Sequence, residues 1–97
     1  MPVLTLEAIE ADPWNAVQYE LPAEAGRSLL DAALRAVQHC VDQEHKMILV
    51  AEDGLRTLGR TPASKSLAEI HKTKKARWVQ ASARRDLIAE IIRHQSL

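Results

Sequence analysis

The densest chemistry in this 97-residue chain lies between Lys72 and Arg85. There Lys72, Lys74, Lys75, Arg77, Arg84 and Arg85 place six cations within 14 positions. Cations at that density neutralise phosphates, which supplies most of the non-specific affinity for nucleic acid. Trp78, inside the run, can stack on a base or lie against a duplex backbone, and Thr73 and Gln80 can hydrogen-bond beside it. A helix-turn-helix fits poorly. A turn at Gly59-Arg60-Thr61 puts Lys65 where an apolar residue is needed, and a turn at His71-Lys72-Thr73 lacks the usual glycine. Trp78 also suits a core anchor, and a charge run also suits a solvated face.

His39, Cys40, Glu44 and His45 are the residues closest to a metal-ligand pattern. A closed zinc site needs four converging ligands. On a helix Cys40 and Glu44 lie one turn apart while His39 points elsewhere, and no second Cys or His pair has finger spacing. Cys40 reads as a small buried hydrophobe, so neither a metal nor a cofactor is expected. No glycine-rich phosphate loop or nucleophile elbow is present. His45 beside Asp42 and Glu44 is an ordinary surface pairing, and His94 suits a helix C-terminus. The expectation is a protein that is not an enzyme.

The elements that must hold these residues follow from periodicity. Residues 1–22 are irregular, with short strands conceivable at Val3 to Leu6 and at Val17 to Leu21, where apolar and polar residues alternate. The alternative for the first is a short helix capped by Thr5 and stopped at Asp12-Pro13. Residues 23–44 read as a helix with Leu30, Ala33, Leu34, Val37, Cys40 and Val41 on one face and Asp31, Arg35, Gln38 and Asp42 on the other. Residues 46–60 read as a β-hairpin, because Asp53-Gly54 suits a type I′ turn and Val and Ile favour strands. The rival is a helix using Met47, Ile48, Ala51, Leu55 and Leu58. Thr61-Pro62 opens a final helix that no Pro or Gly interrupts. At about 50 Å it outruns the ~32 Å diameter of a compact domain of this size, so it either breaks or projects. Ala63, Leu67, Ile70, Lys74, Arg77, Ala81, Arg84, Ile88 and Ile92 share one side of it, apolar at both ends and basic in the middle. The fold expectation is α+β: an acidic helix, a β-hairpin and a long basic C-terminal helix within one domain, residues 1–97. An all-α bundle is the alternative.

Composition sets the partner classes. The longest apolar run, Met47 to Ala51, falls far short of the ~20 residues a bilayer span needs, and the N-terminal residues lack a basic, then apolar, leader pattern. One cysteine closes no internal disulfide, so a cytoplasmic protein without a membrane partner is expected. The formal charge is zero, but residues 1–53 carry three cations against ten acids and residues 54–97 carry ten against three. The halves are therefore −7 and +7. That split is a recognised hint of a charged partner. Two functions follow: a small regulatory protein binding DNA or RNA through the basic helix, or an inhibitor-, adaptor- or antitoxin-like protein–protein module using the acidic half. The partner is then nucleic acid or an acidic protein surface. Partner-binding candidates are Asp31, Asp42 and Glu44, with Ile88, Ile91 and Ile92 as an apolar homodimer contact. With 15 Ala and three aromatics the core is small, which makes a homodimer the expected state.

Overall fold

A computed structural model of the chain describes residues 2–96. Four helices follow one another: α1 (Leu6–Ala11), α2 (Asn15–Gln18), α3 (Arg27–Leu58) and α4 (Pro62–Gln95). The last two, of 32 and 34 residues, lie antiparallel as a hairpin. At about 1.5 Å per residue each runs about 50 Å, and the molecule measures 52 × 26 × 18 Å.

Both long helices follow a seven-residue rhythm. On α3, Leu30, Val37, Glu44 and Ala51 recur every seven residues and all are buried. On α4 the matching row is Leu67, Lys74, Ala81 and Ile88, half-buried at its first two positions and buried at its last two. A seven-residue repeat keeps one seam facing a partner helix as the two coil around each other. The register is visible at successive levels. Gln95 Nε2 donates to the Ala25 carbonyl, the His45 ring faces Trp78, His71 meets Glu52, and Gly54 lies under Leu67.

The expected α+β fold is corrected to all-helical: among the described residues there is no strand, and residues 46–58 continue α3 as helix. Asp53-Gly54 makes no turn. Gly54 is needed for a different reason, since a Cβ there would come within 2.5 Å of Leu67 Cδ2. The close approach of two helices offsets the ~1 kcal/mol a mid-helix glycine costs. The reversal comes five residues later at Gly59, whose φ of 62° lies in the left-handed region that ends helices. Thr61 and Pro62 then open α4 at the expected place. That helix neither breaks near Thr73 nor projects alone, because α3 runs alongside it throughout.

At the N-terminus the expected strands reduce to one isolated parallel bridge between Val3 and Glu20. Thr5 caps α1 by accepting a hydrogen bond from the Ala8 amide, and α1 ends before Asp12-Pro13. Leu4, Ala16 and Val17 from this segment join Leu30, Ala33, Val37, Val41, Ala81 and Ile88 in one core. That core occupies one end of the hairpin, called proximal here. The distal end, from Met47 through the Gly59 turn to Ile70, consists of two helices alone, with Ile48 and Ala51 as its buried apolar residues.

Candidate functional site

Midway along the hairpin the basic band of α4 meets its counter-charge inside the chain. Glu44 stands in the buried row of α3 with its side chain 9% exposed. Arg77 Nε donates to its Oε1 at 3.2 Å. Lys74 Nζ sits 3.4 Å from Oε2, an ionic contact that lacks hydrogen-bond alignment. The Arg77 guanidinium also lies over the Trp14 ring, 4.0 Å from its centroid, the arrangement that attracts a cation to an aromatic face. Trp14 is held there by the turn before α2, where its amide donates to Asp12 Oδ1.

Beside this cluster is an open hollow of about 200 Å³, lined by Pro13, Trp14, Cys40, Gln43 and Arg77 among others. Burial, then the nearby Asp12 and Glu44 charges, push the Cys40 thiol above its ordinary value, and Arg77 opposes them. Cys40 is therefore held as a neutral thiol, the opposite of what a nucleophile or thiolate ligand requires. Among the described residues no three His, Cys, Asp or Glu side chains converge to hold a metal ion.

The other residues read from the sequence as nucleic-acid contacts divide into two groups. Arg84 is half-buried, and burial lowers its guanidinium pKa. Arg85 donates to the neighbouring Asp86, and Trp78 packs against the core with its ring 6.0 Å from that of His45. Lys72 and Lys75 are exposed and, with Lys65, have no acidic partner among the described residues. At about 100° per residue these three lysines share the side of α4 turned away from α3. The proposed acidic contacts are also engaged: Asp31 pairs with Arg27 at 3.0 Å, Asp42 accepts from Gln38, and Glu44 is buried. Ile88 has no exposed surface, and Ile91 and Ile92 pack against the core.

The two flanks of the hairpin differ. On one, His45 and Glu52 of α3 meet Trp78 and His71 of α4, so two cross-helix contacts close the seam. The other flank carries Trp14 and the N-terminal segment over its proximal half. Met47 and Val50 continue that flank distally on the side of α3 that bears Gln43, Leu58 stands at the tip seven residues past Ala51, and Ile70 lies seven residues from Arg77 on the same side of α4. Among the described residues nothing seals them: Met47 is 44% exposed, Val50 64%, Leu58 41% and Ile70 45%. Met47 and Leu58 had belonged to the rival helical reading of residues 46–60, whose three- and four-residue spacing already carried the signal. The hairpin reading dispersed it. Trp14 as the cover of Arg77 had no sequence signal, since the two are joined only by the tertiary fold.

No helix among the described residues is long and apolar enough to cross a membrane. Comparison of the chain with known protein families, with curated proteins and with solved structures gives no match in any of the three.

Proposed function

We propose that this chain is a non-enzymatic interaction module, an adaptor or small regulator, that docks on protein through the open flank of its distal arm. The observation that carries this reading is the contiguous exposure of Met47, Val50, Leu58 and Ile70 on one side of two helices that have no third layer there. Exposed apolar residues clustered on one face mark interaction sites. The pairing of Lys74 and Arg77 with Glu44 supports it from the other side, because it removes two central cations from the band that would bind a polyanion. The single, buried, neutral thiol suits a reducing compartment such as the cytoplasm. A photo-crosslinking residue at Val50 is expected to give protein adducts in cells, while one at Asp31 gives none. Equal yields, or none from Val50, would sink the proposal.

Nucleic-acid binding keeps a narrower basis: Lys65, Lys72 and Lys75, exposed on the outer side of α4 without acidic partners among the described residues. Three phosphate contacts give a log–log salt slope of about −3. On that reading, mixed DNA or RNA shifts at micromolar protein in low salt, and Lys72→Glu with Lys75→Glu abolishes the shift. No shift of the unaltered protein would end it.

A further inference from the structure

Resting on the docking reading, we infer that the open distal flank is self-complementary, and that its occupant is a second copy of this chain. The two copies lie with α3 antiparallel to its counterpart about a two-fold axis near Val50. Two features arranged about that residue carry the inference.

The first is charge. Lys46 precedes Val50 by about one turn and Asp53 follows it by about one turn, both on the outer margin of the apolar strip. An antiparallel partner sharing an axis at Val50 sets Lys46 opposite the partner's Asp53, and the reverse pair forms by symmetry. Within the chain Lys46 has no ionic partner among the described residues. Asp53 has only a 3.6 Å contact to Arg56, with both side chains more than three-quarters exposed, which holds it weakly. A parallel arrangement in register would set Lys46 on Lys46. The charges thus select the antiparallel one, as like-charge opposition does at other interfaces. Zero formal net charge adds no long-range repulsion between copies.

The second feature is shape. The hollow beside Trp14 is bordered by Gln43, seven residues before Val50, while Leu58 stands eight residues after it. Symmetry about Val50 brings the exposed Leu58 side chain of each copy to the hollow of the other. The cavity at the end of the N-terminal segment and the apolar knob at the hairpin tip are therefore one matched pair, used twice. An isologous interface has this property: a patch that meets itself, residue i on j and j on i.

The occupied proximal half of the same flank shows what a covering layer does. There the N-terminal segment covers α3 and α4, and Ala33, Ala36 and Val37 are buried. The second copy supplies that layer to the distal half.

The test is oligomeric state with position-specific readouts. Sedimentation of the unaltered protein from 1 to 100 µM is expected to show a monomer–dimer equilibrium. Val50→Glu is expected to weaken dimerisation at least about a hundredfold with helical circular dichroism unchanged. Lys46→Asp and Asp53→Lys should each weaken the dimer severalfold, and together restore it. Val50→Cys in a Cys40→Ala background should close a disulfide between copies on mild oxidation, and Leu49→Cys, on the far side of the helix, should not. A monomer across the whole range overturns the self-pairing. So does a dimer that tolerates Val50→Glu, or a charge double swap that fails to restore it. If protein adducts from a photo-crosslinker at Val50 persist in the monomeric case and contain a different chain, the docking reading survives. If they too are absent, both fail.

Discussion

The two halves of the hairpin share the same two helices and the same seven-residue seam, yet only one half has a sealed interior. Proximally, the N-terminal segment adds a third layer, and Leu4, Leu30, Val37 and Ile88 lose essentially all exposure. Distally the layer is missing, and Met47 and Ile70, beside the seam, stay open together with Leu58 at its tip. Two helices in contact can bury one row each. Closing the flanks takes another element, or contacts such as the His71–Glu52 pair that seals one distal flank. The difference lies in what packs on the seam rather than in the seam itself.

The strongest way to break the comparison is to carve the same cavity in each half. Ile88→Ala is expected to cost about 3–4 kcal/mol, near the upper part of the range for truncating a fully enclosed aliphatic side chain. Ile48→Ala in the distal arm should cost about half that, since its surroundings can collapse or wet. Thermal or urea unfolding of both variants measures this, and equal losses would erase the proposed contrast. Next comes the junction of the halves. Glu44→Ala strands Lys74 and Arg77 and should cost about 2 kcal/mol, below the 3–5 of a fully buried pair because both cations are part-exposed. Glu44→Leu should recover most of that loss, as apolar replacement of buried ionic groups commonly does. A Leu variant as unstable as the Ala variant would show that the ion pairs, and not the row position, hold this level together.

Gly54 sharpens the distal side. Leu there must push Leu67 aside and should cost about 1–3 kcal/mol through overpacking, with faster amide exchange confined to residues beyond Glu44. Ala should stay within about 1 kcal/mol of the parent, because its helix preference works against displacement of a flexible Leu67 terminus. The smallest expected effect concerns Cys40. Its raised folded pKa means the folded chain holds the thiol proton longer than the unfolded chain does. The associated stability is complete below the ordinary thiol pKa of about 8.5 and declines as pH rises beyond it. Labelling of the native thiol at pH 8 is expected to run at least about tenfold slower than in denaturant. Native labelling at the denatured rate would place Cys40 outside the proximal interior.

Most of the helix content was legible locally. The Thr5 cap, the apolar face from Leu30 to Val41 and the Thr61-Pro62 start are signals carried by neighbours in sequence. The region 46–60 was not, because the reason for Gly54 sits on the other helix, at Leu67. The fate of the basic band was half-legible. Glu44 is the one acid in the row Leu30, Val37, Ala51, and Lys74 the one cation in the row Leu67, Ala81, Ile88. A charge alone in an apolar row requires an opposite charge in the facing row, and a count by sevens would have matched the two. The count by threes and fours that identified the helices could not. The open flank became visible only with three-dimensional placement of the N-terminal segment, whose end at Trp14 defines where cover stops.

The seven-residue seam also makes the arm a ruler. Each repeat adds about 10 Å of length per helix, and rows on α3 and α4 advance together in opposite directions. Removing residues 48–54 with 64–70 would take out one matched step from each helix. Leu55 would then stand where Ile48 stood and His71 where Ser64 stood, and the Gly59 turn would be kept. The tip would move about 10 Å toward the core while the Trp14, Glu44 and Arg77 level stayed untouched. How far this protein reaches is therefore a quantity that insertion or deletion changes in fixed increments, independently of what holds its base together.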